Sequence, residues 1–561
     1  MNNKILIYQV LPRLFGNDKA VNKENGTVEE NGVGKLSSFD DKALNEIAKM
    51  GFTHIWYTGI IEHATKTDYS PCGIQKDHPD VVKGNAGSPY AIKDYYDVSP
   101  DLVDNIENRI AEYEALIGRT HKAGLKVVMD FVPNHVARQY HSDAKPRTVA
   151  DLGADDNNTM AFSPDNNFYY LPRQPLNLQK NKITGEGAYS EIPAKATGND
   201  CFSNNPSEND WYETVKLNYG VDYFNGRSKH FIPVPDTWHK MYEILSYWAS
   251  KGIDGFRCDM AEMVPVEFWN WVITQLKAKY KPLLFIAEVY NPSEYHNYIN
   301  EGLFDYLYDK VGLYDTLRNV VCGHQPTSAI TFCWQKLNGL ERKMLNFLEN
   351  HDEQRIASDF FAKEPDKAIP AMIVSATMNT NPVMVYCGQE LGERGMDKEG
   401  FSGHDGRTSI FDYWSVDTIR RWRNGGRFGN SLLTKGEASL RKFYVQLLNL
   451  CHTEKAITHG SFFDLMYANY ENPDFDSTRQ YVFLRSYKKE ALLIVSNFSD
   501  NDVSVIINIP REAFEYININ SSRVKEGIDL MANKPIPLSV KDGTVSLKIQ
   551  KNSGKIIKYS V

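Results

Sequence analysis

The chain has 561 residues and a mass of 64.0 kDa, more than the roughly 250–300 residues that one hydrophobic core supports, so two or three domains are expected. With 42% hydrophobic and 24% charged residues it has the balance of a globular enzyme, which excludes a disordered or collagen-like chain. A net charge of −8 and a pI near 6.0 supply no concentration of Lys and Arg for a polyanion, so nucleic acid is excluded as an expected partner. No apolar run approaches the ~20 residues of a membrane span, and Met1 to Pro12 lacks a long apolar segment with a small-residue cleavage site. No membrane is expected as a partner, and the expected location is cytoplasmic. Seven cysteines, Cys72, Cys201, Cys258, Cys322, Cys333, Cys387 and Cys451, show neither a CxxC pair nor a metal-ligand spacing, and they read as reduced thiols.

Short apolar runs alternate with amphipathic stretches through most of the chain, the rhythm of βα units around a parallel sheet. Ile5 to Val10 reads as the first strand. Asp41 to Met50 is helical and ends at Gly51, and Thr53 to Thr58 reads as a buried strand. The unit recurs as helix Ile106 to Lys122 with strand Lys126 to Phe131, and as helix Trp238 to Lys251 with strand Gly255 to Asp259. Helix Glu267 to Lys279 precedes strand Leu284 to Ala287, and Phe304 to Leu307, Met344 to Leu348 and Val383 to Tyr386 complete eight strands. Between His135 and about Pro235 the rhythm stops in a polar stretch carrying aromatics such as Phe168, Tyr169 and Tyr170, which reads as a small inserted domain. After helix Leu440 to Cys451 the pattern turns to alternating strands, Gln480 to Tyr487, Ala491 to Asn497, Val503 to Ile509 and Val545 to Ile549, an antiparallel sandwich. The expected fold is a (β/α)8 TIM barrel in two parts, 1–135 and 236–455, with an inserted domain over 136–235 and a β-sandwich over 456–561.

In such a barrel the active site is built at the strand C-termini. Four strand ends carry chemistry there: Lys126 to Phe131 contains Asp130 and is followed by Pro133, Asn134 and His135; Gly255 to Asp259 contains Arg257 and ends in Asp259. Leu284 to Ala287 precedes Glu288, and Met344 to Leu348 precedes Glu349, Asn350, His351 and Asp352. A single Asp after a strand is ordinarily a turn or cap residue. Arg257 inside an apolar strand needs a carboxylate partner to offset its desolvation, with Asp130 and Asp259 as the candidates. Two carboxyls facing each other cleave an acetal, one attacking the anomeric carbon and the other protonating the departing oxygen. Arg257 beside Asp259 is expected to keep that group ionised, leaving Glu288 to hold the proton near neutral pH.

The stretches DFVPNH at Asp130 to His135, GFRCD at Gly255 to Asp259, AEV at Ala287 to Val289 and ENHD at Glu349 to Asp352 resemble the four signature regions of the α-amylase family, glycoside hydrolase family 13, in order and spacing. GFTHIWYTG at Gly51 to Gly59, SPYAIKDYY at Ser88 to Tyr96 and YCGQELG at Tyr386 to Gly392 resemble further regions of that family. The resemblance implies that Asp259 is the nucleophile, Glu288 the general acid/base and Asp352 the transition-state stabiliser. It also implies that His135, Arg257 and His351 hold the sugar, that Tyr90 stacks beneath it, and that Asp130 and Asn134 support the site. The implied activity is retaining hydrolysis of α-1,4 bonds in maltooligosaccharides or starch. A transglycosylase, of glucanotransferase or maltose-isomerising type, would use the same residues, whereas a non-catalytic carbohydrate-binding relative would lack the carboxylates.

Two departures bear on specificity and metal. A Lys–His pair that follows the nucleophile in many α-amylases is replaced by Glu262 and Met263. TVKLN at Thr214 to Asn218 puts Lys216 where the family commonly has a calcium-binding Asp, and an ammonium is no calcium ligand. No metal or other cofactor is expected to be obligatory, and the structural calcium of the family is doubtful. Asn17 to Gly34, with Asn17, Asp18, Asn22, Glu24 and Asn25, reads as a solvated turn with calcium as its alternative. Nothing in the sequence sets the oligomeric state.

Overall fold

The computed structural model describes residues 4–178, 187–280, 282–518, 526–537 and 543–560. Eight strands, β1 (Leu6–Val10), β2 (His54–Tyr57), β3 (Lys126–Phe131), β4 (Gly255–Cys258), β5 (Leu284–Ala287), β6 (Tyr306–Tyr308), β7 (Met344–Phe347) and β8 (Val383–Tyr386), form a closed barrel. Each pairs in parallel with its neighbours, and β8 closes onto β1. Side chains alternate across these strands. Ile7, Trp56, Val128, Ile286, Tyr308, Leu345, Phe347 and Met384 form one inner cluster, while Leu6, Tyr8, Val127, Met129, Phe256 and Phe285 belong to the larger core around it. That two-sided burial is why the strands read as continuous apolar runs.

Helices Asp41–Lys49, Arg109–Lys122, Asp236–Ser250 and Val266–Lys279 alternate with these strands. Asp40 caps the first by accepting from the Ala43 amide at 2.8 Å. The segment from Ile106 begins as a 3-10 turn capped by Asn105 and becomes α-helical only at Arg109. The expected strand Phe304 to Leu307 is shifted to Tyr306–Tyr308, because Phe304 is buried by its ring contact with Trp269, 4.8 Å between centroids, and not by the barrel ladder. β4 ends at Cys258, one residue before Asp259, and Met260 adopts a left-handed conformation with φ of 41°.

Between β3 and helix Asp236–Ser250 the chain forms short antiparallel ladders, His135–Ala137 with Thr214–Lys216 and Tyr170–Leu171 with Ala194–Lys195. The first sets His135 opposite Lys216. Helix Lys435–Thr453, with a capping box of Thr434 and Glu437, leads into the C-terminal part. There a six-stranded antiparallel sheet includes β9 (Ser461–Asp464), β10 (Gln480–Tyr487), β11 (Glu490–Asn497) and a last strand, Ser553–Ser560, while Val503–Asn508 pairs with Thr544–Ile549 in a second sheet. β9 and Ser553–Ser560 were not among the strands read from the alternation. No helix among the described residues is long and apolar enough to cross a membrane.

Candidate active site

Parallel register sets the centre of the site. Arg257 on β4 is aligned with Asp130 on β3 and Ile286 on β5, so Asp130 and Arg257 reach the barrel interior at one level. The guanidinium is fully buried. Its Nη1 donates to Asp259 Oδ1 at 2.7 Å and to Asp130 Oδ1 at 3.3 Å, and its Nε donates to Tyr308 Oη at 3.1 Å. Nη2 lies 2.8 Å from Glu288 Oε2, a charge contact rather than an aligned hydrogen bond. Trp56, Tyr90 and Tyr308 face the guanidinium at 5.1, 5.5 and 5.4 Å. A planar, always-charged fork suits this position, since it meets several carboxyls at fixed angles and packs on rings.

One cation thus serves three carboxyls, with Asp352 close by. Burial pushes the Asp259 carboxyl well above the usual carboxylate range; Arg257 opposes that, while Glu288, Asp352 and Asp130 add to it. Burial raises Asp130 to about 6, again against Arg257. Enclosure in the cleft, followed by the charge of Glu288, pushes Asp352 to about 7, an effect that solvent moderates because 44% of that side chain is open to the cleft. The contacts differ from the expectation in one respect, that Arg257 does not serve Asp259 alone. The guanidinium is shared between Asp259 and Glu288.

The surrounding bonds orient each group. Glu288 accepts from the Met260 amide at 2.8 Å through Oε2 and from Tyr290 Oη at 2.5 Å through Oε1. Gln9 Nε2 lies 2.8 Å from His351 Nδ1. An amide nitrogen only donates, so Nδ1 is the acceptor and Nε2 carries the proton, 3.1 Å from Asp352 Oδ2. Burial keeps this imidazole neutral, with Arg257 adding to the effect. Tyr90 stacks on the His351 ring at 5.0 Å and 21°, and its hydroxyl is 3.5 Å from Asp130 Oδ1, while Asp130 Oδ2 accepts from Trp56 Nε1 at 2.9 Å. Glu349, the first residue of ENHD, turns away to pair with Arg355 at 2.9 Å and to accept from the Ile356 amide.

His135 lines the cleft beside Trp211, ring to ring at 5.1 Å. Asn134 points away from it, donating to the Gly198 carbonyl at 2.7 Å and accepting from Lys216 Nζ at 2.6 Å. Lys216 also pairs with Asp200 Oδ1 at 2.6 Å. With an ammonium between these two oxygens, the donor set does not fit a calcium ion. In the Asn17 to Gly34 segment, Asn17 and Asn22 donate to the backbone of Trp414 and Ser415 and Asp18 pairs with Arg423 at 2.6 Å, so these side chains fasten a loop. Among the described residues, the one group of three carboxylates within 4.8 Å of one another is Glu62, Asp94 and Asp97, buried and already met by Lys93 and Arg109.

Tyr90, His135, Asp259, Glu288, Tyr290 and Asp352 line a common cavity of about 340 Å3. Arg257 and Asp130 lie behind them, and Asn134 is bonded to Gly198 and Lys216 of the inserted segment. Gln9, Trp56, Tyr290 and Tyr308 were not singled out from the sequence. Trp56 and Tyr308 look like ordinary core residues of apolar strands, whereas Tyr290, two residues past Glu288 at a strand end, carried a positional signal. Glu262, on the side the sequence left open, accepts from the Asn291 amide at 3.0 Å.

Residues 9–427 match the family description "Alpha amylase, catalytic domain". Alpha-amylase 3 of Dictyoglomus thermophilum is 23% identical over 401 residues, 66% of this chain and 68% of that protein. The crystal structure of a noncanonic maltogenic alpha-amylase, AmyB, from Thermotoga neapolitana superposes with a TM-score of 0.64 at 18% identity, covering 99% of both chains. That of CldA, described as a cyclomaltodextrin glucanotransferase with a three-domain ABC distribution, gives a TM-score of 0.65 at 16% identity and covers 100% of both chains. The family match spans both parts of the barrel and every strand end that carries a carboxylate of the cluster, and on it the chain belongs to the α-amylase family, glycoside hydrolase family 13.

Proposed function

We propose that the protein is a retaining α-glucan hydrolase that cleaves α-1,4 bonds of maltooligosaccharides or starch through a covalent glycosyl–Asp259 intermediate. The observation that carries this reading is that Asp259 and Glu288, from adjacent strands, both contact the Arg257 guanidinium. Sharing one guanidinium favours close carboxyls, near the ~5–5.5 Å of retaining enzymes, over the wider gap that admits an attacking water.

In this reading Asp259 Oδ attacks the anomeric carbon while Glu288 gives its proton to the glycosidic oxygen, and the C–O bond to the leaving sugar breaks. Glu288, now a carboxylate, takes a proton from water, whose oxygen displaces Asp259 and returns the α anomer. Tyr290 holds Glu288 toward the bond. Arg257 takes up negative charge that moves between Asp259 and Glu288 during the cycle, which suits its sharing of both. Asp352, oriented by neutral His351, stabilises the cationic sugar, and Tyr90 backed by His351 offers a flat face for it. His135 contacts the same sugar.

The test separates products from maltoheptaose, cyclodextrin and pullulan over time, with NMR of the nascent anomer. The reading expects short maltooligosaccharides released first as α anomers, with Asp259 labelled by an activated glycosyl fluoride in Glu288→Gln. First release of the β anomer, or a label on Asp352, would overturn it. Products longer than the substrate would instead assign the transglycosylase reading.

A further inference from the structure

The end of the barrel opposite the carboxylate cluster opens into a second, larger cavity of about 1080 Å3. Its wall is made by residues at or just before the starts of all eight barrel strands, from Lys4 ahead of β1 to Thr380 ahead of β8, and His452 and His459 border it where the chain passes to the C-terminal sheets. Lys4, Lys126, Arg342 and Lys343 line this mouth, and none of the four forms an ion pair among the described residues. The two acids on the wall are engaged elsewhere: Asp254 accepts from the Val127 amide at 2.8 Å and bonds His121 at 2.7 Å, and Asp305 pairs with Lys277 at 2.8 Å. Four cations against two acids thus leave this mouth cationic in a protein of net charge −8.

The burial of that charge is what calls for a ligand. Lys4 is 2% exposed and its ammonium donates to a backbone carbonyl, that of Asn379. Just behind the wall the buried Arg485 guanidinium bonds only carbonyls, those of Met378, Ala456, Ile457 and Gly460. Keeping the Lys4 ammonium charged beside a second buried cation and without a carboxylate is costly, and an anion supplied from outside would offset that cost. The volume exceeds that needed for a single ion and lies just above the roughly 300–1,000 Å3 of small-molecule sites. The acidic surface elsewhere repels a long polyanion and admits a small one.

We propose that this barrel mouth is a binding site for a small, multiply charged phosphate compound, gripped by Lys4, Lys126, Arg342 and Lys343. His54, which burial keeps neutral by lowering it to about 4, presents a further hydrogen-bonding group on the wall. The site is separate from the carboxylate rim and stands whatever the substrate there.

The experiment is calorimetric titration of the full chain at constant ionic strength with pyrophosphate, glucose 1-phosphate and ATP, three carriers of the same charged group. Saturable one-to-one binding of at least one probe is expected, and the preferred probe tells a bare diphosphate from a sugar phosphate or a nucleotide. The exposed pair Arg342→Ala with Lys343→Ala should weaken that binding by about tenfold or more, while saturating maltoheptaose should leave it unchanged. Burial holds the Lys4 ammonium down to about 7, with Arg485 adding to the effect and Cys451 opposing it. An arriving anion should therefore draw a proton onto Lys4, so the binding heat at about pH 8 should vary with the ionisation enthalpy of the buffer, and cease to do so in Lys4→Met. No saturable heat with any of the three probes, binding unchanged by the double substitution, or displacement by maltoheptaose would each overturn the proposal.

Discussion

The two ends of this barrel solve opposite charge problems. At the C-terminal rim, Asp130, Asp259, Glu288 and Asp352 crowd around a single guanidinium. At the N-terminal mouth, four cations gather beside two acids that bond other residues. Both ends expose the same strands, so the difference teaches that strand geometry only delivers side chains to a mouth. What a mouth does depends on which charge is left over there. In the readings proposed above, the surplus of carboxyls serves an acid/base and nucleophile pair, and the surplus of cations receives an anion.

The sharpest way to break the rim's side of that comparison is Asp259→Asn. An amide does not attack the anomeric carbon, and turnover should fall by about 10⁴-fold or more, read as initial rate on maltoheptaose. Retention of more than a small part of the rate would remove Asp259 from the nucleophile's role.

Replacing the shared cation comes next. Arg257→Met leaves Asp130, Asp259 and Glu288 without their counter-charge, and breaking such a buried pairing costs about 3–5 kcal/mol. The sign with pH is definite. Asp130 and Asp259 already sit above their ordinary range, and without Arg257 they move further up, so the variant's stability is retained below their unfolded values and lost as pH rises through the folded ones. Denaturant unfolding should show a larger deficit at pH 8 than at pH 5, and an equal deficit at both would show that Arg257 does not hold the carboxyl charge.

Tyr90→Ala should lower kcat/KM by roughly ten- to a hundredfold, the loss of about 1.5–3 kcal/mol of ring contact and packing. Tyr90→Phe should be much milder, because the hydroxyl is 3.5 Å from Asp130. A folded alanine variant with full activity would reduce Tyr90 to a packing residue.

The smallest effect expected is that of chelation. With Lys216 between Asn134 and Asp200, EDTA should leave Tm and rate nearly unchanged, since a ligand that is not bound stabilises nothing. A large fall in Tm restored specifically by calcium would show that a metal supports the inserted segment after all.

The barrel was legible because each buried strand is a short apolar run closed by a turn residue, and the carboxylates were legible because they stand just past such runs. Tyr308 and Trp56 were not, since an aromatic in an apolar strand looks the same whether it packs on leucines or on a guanidinium. Gln9 was hidden for a related reason: its partner His351 is 342 positions away. Phe304 shows the converse, an apolar residue buried by a helix and read as part of a strand.

Sequence alone determined the succession of βα units, the inserted segment, the identity of the four rim carboxyls and the ammonium at position 216, because these follow from local periodicity and from residue type at strand ends. Tertiary structure decided how charge is distributed among them. Arg257 touches Asp130, Asp259 and Glu288 together only because parallel register brings three strand ends to one level, and Lys4, Lys126 and Arg342 face one cavity only because the barrel closes β8 onto β1. Coulomb interactions act through space, and the spacing of charges in a closed barrel is set by its circumference, which no local stretch of sequence encodes.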